Sequence, residues 1–491
     1  MMIQRLNSFT TGRATHRVLM TCLSIIALTT ACDSEEGTKA PDSTAGAASG
    51  GEVAGDTAGE TAGDTAGETA GDAAGETAGE TAGETAGDTA GETSGETAGE
   101  TSGEDTLTLG EFEAWRAPID TYIAEATAEL GADVDISIHD LYVHDQRIYV
   151  GYGDANLNAG GVSPIQVLYF DAPEGEVIAD PLMTGEEAIV RFRDVDGEVM
   201  IAGVDSTNDD ELTSRPLIEG NFLRTREGVW EKHRSVPGGE HVHDVTRFME
   251  GLWAVGSGAD NRYEWDNFGV YRYLWFSEDG GVTWSRYKRV LREVGGDTRY
   301  INLLTVGPRL YIFGYLNPSD GPFEPRNEII IGATGEPTPL VTEDDEGQPI
   351  SEGYVHPFAQ IYGGETYTLS DEEGVVSGFD IPARRWRTWV VRADGSIEAA
   401  DELLDFWGER RLIDLFVSRE DGSVTALLHN DQELNGDTGV IAHGPSFREL
   451  RELSTWSAEG EGSPLSIAQW GAHLYLGQRN GEIRRAALIR E

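Results

Sequence analysis

From about residue 133 onward, apolar and polar positions alternate in short runs broken by Gly, Asp and Pro. That period of two reads as a succession of β-strands joined by turns. The runs recur. A tight turn precedes an apolar-aromatic strand, usually ending in Gly, at residues 147–151, 198–203, 252–256, 310–314 and 473–477, with weaker copies at 365–369 and 423–428. The turn glycines Gly197, Gly251, Gly307, Gly364, Gly422 and Gly471 are separated by 54, 56, 57, 58 and 49 residues, and the first copy turns on residues 144–146. A unit of that length holds four strands and their turns. Four-stranded units repeated around an axis make a β-propeller, whereas a pair of β-sandwiches has no reason to repeat at so constant a spacing. The expected fold is therefore an all-β propeller over residues 133–491, with seven four-stranded blades favoured and six as the alternative. The last copy has only residues 461–491 left, enough for three strands. Its fourth is expected from the N-terminal side, near residues 106–113, so that both chain ends close the ring.

Other patterns precede the repeats. At 111–130, Trp115, Ile119, Tyr122, Ile123, Ala126 and Leu130 fall at helical spacing, with Gly131 as a stop, which predicts a short helical edge segment within 106–132. From Gly51 to Glu104 a Gly-acid-X-small unit repeats every four residues. Gly at every fourth position disfavours a helix by about 1 kcal/mol each, and i, i+4 acids repel. With nothing apolar to bury, residues 32–105 are expected to be a disordered acidic tether, spanning about 45–50 Å at roughly 5–6 Å × √n. Residues 1–31 combine a basic start (Arg5, Arg13, Arg17) with an apolar run from Val18 to Ala31. The run is too short to span a membrane and right for a signal peptide.

Charge sharpens this division. The chain has 491 residues, 87 acids and 36 bases, for a net charge of −51. Residues 1–32 carry +3, 33–105 carry −18 and 106–491 carry −36. An acidic chain without a basic stripe is unsuited to phosphate backbones, so no nucleic-acid partner is expected. Cys22 and Cys32 are the only cysteines. Once Cys22 leaves with the signal, neither an intrachain disulfide nor a thiolate metal site is available.

Thr29-Thr30-Ala31-Cys32 resembles the lipobox of bacterial lipoproteins, although the usual Leu sits one place early, as Leu28. The resemblance implies lipidation at Cys32 and an exported protein anchored in the bacterial cell envelope. The outer membrane or cell surface is favoured, and Asp33 keeps the inner membrane open. Residues 277–284, Ser-Glu-Asp-Gly-Gly-Val-Thr-Trp, resemble the Asp-box (BNR repeat) of sialidase-like and sortilin-like propellers. Ser277, Asp279, Gly281, Thr283 and Trp284 hold its defining positions, and degenerate relatives stand at 226–230 and 382–386. The Asp-box is a folding device, a hairpin between third and fourth strands, and leaves function open. The sialidase resemblance implies an arginine triad for the sugar carboxylate, a tyrosine nucleophile assisted by Glu, and an acid Asp. Arg191, Arg299 and Arg411, each expected to begin an inner strand, and Tyr300 are the available residues; the usual Arg-Ile-Pro signature is missing, with Ser214-Arg215-Pro216 a weak echo.

Two further sets carry candidate chemistry. His241 and His243 share a strand face by period two, Asp244 follows, and His139 and His356 occupy similar places in other blades. Together with Arg299 and Arg411 these are candidate ligand-binding residues, and the histidines a candidate transition-metal set. Asp154, Asn156 and Asn158 have the alternating oxygen spacing that opens many Ca²⁺ loops, so Ca²⁺ is the one cofactor expected. Against these stand backbone-bonded histidines and ordinary Asx turns. The function expected is a membrane-anchored, monomeric binding module for a carbohydrate or protein ligand. The alternatives are a sialidase-like glycoside hydrolase, for which no complete catalytic set is found, and a purely structural surface protein.

Overall fold

The computed structural model describes residues 107–490 apart from 117–134, 155–164, 205–216, 262–269, 291–295, 319–323, 334, 341–355, 431–437 and 459–461. Their strands form seven antiparallel sheets of four or five strands. Blades 1 to 6 follow one another along the chain and open on inner strands Asp140–His144, Arg193–Val195, His241–Phe248, Gly296–Val306, Ile361–Thr368 and Arg411–Val417. Blade 7 runs Pro464–Trp470, His473–Gln478, Ile483–Arg490, and takes its outer strand from Leu107–Leu109, which pairs antiparallel with Ile483–Arg490. The protein is a seven-bladed β-propeller closed by both ends of the described chain, as the shortage of residues after 461 predicts.

Burial follows position in the blade. The second strand of blade 3, Gly251–Gly258, is buried at every residue, while no residue of the outer strand Ser285–Val290 is fully buried. A second strand is covered on both faces by neighbouring blades, which is why it reads as a near-continuous apolar run. Seven hydrophobic clusters lie between successive blades. Phe248, Trp253 and Val255 of blade 3 meet Leu303, Leu310 and Ile312 of blade 4, for example. Another cluster joins Ile148 and Phe170 of blade 1 to Trp470 and Tyr475 of blade 7. There is no single core; the ring is held by seven interfaces of the same kind.

Two expectations are corrected. Glu113–Arg116 is a strand paired with Ile483–Arg490, where a helix was expected from residue 111. Trp115 therefore belongs to the closing sheet and packs among Phe170 and Tyr475, with ring centroids 4.5 and 4.7 Å away. An apolar residue satisfies both periods over so few positions, and the open edge of blade 7 decides between them. The rest of the expected helix lies outside the described residues. The second correction concerns blade 5. Residues 365–369 lie at the end of its inner strand and just beyond, and its second strand is Glu373–Asp380. Residues 382–386 consequently fall between second and third strands, unlike an Asp-box hairpin, whereas 226–230 do join third to fourth.

The hairpin 277–284 lies between the third and fourth strands of blade 3. Asp279 accepts hydrogen bonds from the Thr283 amide (2.8 Å) and hydroxyl (2.6 Å) and from the Ser277 hydroxyl (2.9 Å). Gly281 has φ +88°, and a Cβ there would meet the Phe222 ring. Trp284 is buried edge-on to Phe222 of blade 2.

Ring closure gives a direct test. Trp115→Ala removes a buried indole and its 2.8 Å hydrogen bond to the Pro173 carbonyl, and should lower stability by about 3–5 kcal/mol. Urea unfolding measures it, and an unchanged midpoint would show that residues 113–116 do not close the ring.

Candidate functional site

The inner strands of five blades are interrupted by a bulge followed by a polar residue. Register shifts lie between Val242 and Asp244, Tyr300 and Asn302, Tyr362 and Glu365, Leu412 and Asp414, and Pro464 and Ser466. A bulge bends a strand and re-aims a side chain. Here four of the five re-aimed groups reach the next blade. Asp244 accepts the Leu303 amide of blade 4 (2.8 Å) and its own neighbour Val245 (2.9 Å). Asp414 accepts Ile467 of blade 7 (2.7 Å) and Leu415 (2.8 Å). Asp140, at the start of its strand, accepts Phe192 of blade 2 (2.7 Å). Asn302 donates to the Gly364 carbonyl, and the Ser466 hydroxyl donates to the Ile138 carbonyl across the closing interface.

Two arginines of blade 2 cross the axis. Arg193 grips Asp244 with two hydrogen bonds, 2.8 and 2.7 Å, and also donates to the carbonyl (3.0 Å) and hydroxyl (2.9 Å) of Thr366 in blade 5. Arg191 pairs with Glu365 and donates to Asn302. Near the mouth where the inner strands end, Arg419 of blade 6 pairs with Asp194 of blade 2, which also accepts the Tyr142 hydroxyl. Burial raises the Asp140 carboxyl to about 6, against the Phe192 amide and Arg191. Burial and then the charge of Asp140 raise Asp414 to about 7. Burial lowers Arg191, and Arg193 adds to that; in Arg193 burial is overcome by its bidentate Asp244.

The sequence candidates fall around this axis without forming one pocket. His241 bonds the Val204 carbonyl through Nδ1 (2.7 Å) and stacks on His243, centroids 5.9 Å apart. His243 is the residue displaced by the bulge, and burial, then Arg299, hold its imidazole well below the usual range. His139 bonds the Gly153 carbonyl. His356 caps a short 3₁₀ turn by accepting the Phe358 amide, and burial lowers it to about 4. Arg299 is buried, and Arg411 lies 3.9 Å over Trp386. Among the contacts described, Arg191 meets Glu365 and Asn302, and Arg411 meets Trp386. The Tyr300 hydroxyl donates to Glu328 (2.6 Å) within blade 4. Among the described residues no three His, Cys, Asp or Glu gather as a metal set. Asp154 is buried and accepts the Asp135 amide (2.9 Å). Asn156, Asn158 and Cys32 lie outside the described residues.

Of the axial groups, Asp244 and Arg191 were singled out from sequence; Asp140, Arg193 and Asp414 were not given weight. A signal existed. Asp140, Asp244 and Asp414 are each followed at once by an apolar residue in the strand leading to a turn. In His139-Asp140 and His243-Asp244 the acid, and not the imidazole, makes the inter-blade bond.

No protein-family model matches the chain, and no curated protein matches it. Solved structures resemble it in architecture. The β-propeller domain of the Trilobed protease from Pyrococcus furiosus aligns with 72% of this chain and 94% of its own, at 7% identity and TM-score 0.41. The polysaccharide lyase Uly1 aligns over 72% and 90%, at 9% identity and TM-score 0.38. The computationally designed Ika8 protein aligns over 72% and 96%, at 9% identity and TM-score 0.37. The blade count rests on the strand pairing, and these likenesses add no chemistry to it.

The axial pair predicts a pH signature. A carboxyl raised in the folded state contributes stability that is complete below about pH 4 and lost as pH rises through its folded value, here about 6 to 7. The lowered histidines act in the opposite sense, so the comparison is between proteins. Asp414→Asn should cost more stability relative to the parent at pH 5 than at pH 8. Urea midpoints at both values measure this; an equal cost at both would show that Asp414 is not raised.

Proposed function

We propose that the chain is a membrane-anchored, extracytoplasmic lipoprotein whose propeller binds a carbohydrate or protein ligand. One observation carries this reading: the inward-facing Asp140, Asp244, Asp414, Arg191 and Arg193 are committed to blade-to-blade bonds. Groups that hold the ring together are poorly placed to move protons for a substrate. The hydrolase alternative is less well supported: the Tyr300–Glu328 pair fits a nucleophile assisted by Glu, but Tyr300 is fully buried, and Arg191 and Arg411 are engaged by Glu365 and Trp386. Residues 277–284 are read as an Asp-box, on the strength of the Asp279 bonds, and so as scaffold. Ca²⁺ is proposed at the loop opened by Asp154.

The anchor is tested by Cys32→Ser, which should move the protein from the membrane to the soluble fraction. Retention on washed membranes would place the anchor elsewhere. Binding is tested with the full-length protein in detergent, against a glycan panel and envelope proteins, with and without millimolar Ca²⁺. Selective capture is expected, and any Ca²⁺ gain should vanish in Asp154→Ala and should not be reproduced by NaCl at matched ionic strength. Turnover of a sialoside without stable capture would overturn the binding reading in favour of the hydrolase.

A further inference from the structure

Seven large apolar side chains stand exposed among the described residues, and five of them are on one face of the ring. It is the face where inner strands end, which carries the turns between first and second strands and the hairpins between third and fourth. Val229 opens the outer strand of blade 2, Met249 lies in the first turn of blade 3, and Val282 lies in the hairpin of the same blade. Ile331 ends the third strand of blade 4, and Ile489 stands near the end of the third strand of blade 7. All five are between 40 and 64% exposed. Single apolar residues are ordinary on a surface. Four on three consecutive blades of one face form a group, and grouped exposed apolar residues mark an interaction surface.

The three blades touch along this face. Arg224 of blade 2 donates to the Gly280 carbonyl in the hairpin of blade 3, and the Ser235 hydroxyl donates to the Gly281 carbonyl (3.4 Å). Towards blade 4, the Tyr287 hydroxyl donates to the Gly335 carbonyl (3.1 Å), and Gly335 lies against Ile331. Two partly buried rings link Met249 to that contact. Phe276 lies against Gly251, and Trp253 is 4.9 Å from Phe276 and 4.6 Å from Tyr287. Negative charge is interspersed. Glu227, Glu250 and Glu278 are exposed in the same turns and have no ion pair among the described residues, whereas Arg226 faces Glu198 (3.4 Å) and Arg247 pairs with Asp196.

These charges select what can cover the arc. Residues 33–105 precede Leu107, which reaches the ring at this face by pairing with Arg490. They carry −18, and Val53 is their one large apolar residue, so they bring neither positive charge nor apolar contacts. A second copy would oppose its own glutamates, and anionic lipid is repelled by them as well. A helix with an apolar stripe flanked by Lys and Arg supplies both requirements at once: the stripe packs on the exposed side chains, and the flanking charges meet the unpaired carboxylates.

We propose that the arc from Val229 through Val282 and Met249 to Ile331 docks a basic amphipathic helix of a partner protein. It rests on the binding reading above and narrows the ligand to a polypeptide of stated chemistry on a stated face.

Fluorescence anisotropy tests this, with the full-length protein in the Cys32→Ser background so that no detergent is present. The probe is a labelled peptide of Lys and Leu, about 18 residues or five helical turns, with Leu on one face. The same composition scrambled around the helix is the control for general attraction to an acidic protein. The amphipathic peptide should bind at least tenfold more tightly than the scrambled one. The combined change Val229→Ser, Met249→Ser and Ile331→Ser should remove that difference, whereas Met183→Ser with Leu217→Ser on the opposite face should leave it intact. Glu227→Gln, Glu250→Gln and Glu278→Gln together should weaken binding and flatten its salt dependence. Equal binding of the two peptides would overturn the docking surface, as would a difference undiminished by the three serines. No binding of either peptide would overturn it too, and selective capture in the glycan panel would then leave the binding reading standing. If the serine variant fails to fold, a loss in the folded glutamine variant supports the surface and full retention opposes it.

Discussion

Each blade opens on an edge strand, and an edge strand carries a row of backbone N–H and C=O groups without a ladder partner. Seven such edges face one axis, and an unpaired group buried there costs about 1–3 kcal/mol. The rest of the ring depends on how those groups are satisfied. Asp140, Asp244 and Asp414 accept amides of blades 2, 4 and 7, while Asn302 and Ser466 donate to carbonyls of blades 5 and 1. Each bond reaches one blade forward, so together they set the angular order of the ring as well as its stability. A charged acceptor makes the stronger version of this bond.

Placing carboxylates so close to the axis has an electrostatic cost, and the arginines answer it unevenly. Asp244 is gripped by both ends of the Arg193 fork. Asp140 and Asp414 flank blade 7, whose corresponding residue is the uncharged Ser466, and they press on each other's protons. Arg191 and Arg193 thus tie blade 2 to blades 3, 4 and 5 across the axis, while no arginine bonds Asp414 among the contacts described. On the face where inner strands begin, Trp386 beside the four-residue connection of blade 5 is half-buried.

The sequence by itself determined the all-β class, favoured seven units over six, and pointed to closure by a strand from the N-terminal side. All three follow from period-two alternation, the spacing of turns and the length of chain left at the end. It also placed the hairpin 277–284, because local backbone geometry dictates that pattern of Ser, Asp, Gly and Trp. Local pattern did not settle blade 5, where residues 365–369 alternate like a second strand yet close the inner one. Nor did it settle Trp115, whose spacing fits a helix as well as a strand. What only the tertiary structure decided is which polar groups meet. Arg193 and Thr366 are separated by 173 residues and Arg411 and Trp386 belong to different blades, so their contact depends on ring closure. Repeating strands announce themselves in one dimension because each needs only its own alternation. A site assembled from the starts of several strands has no such period, and its members become neighbours only when the last blade is joined to the first.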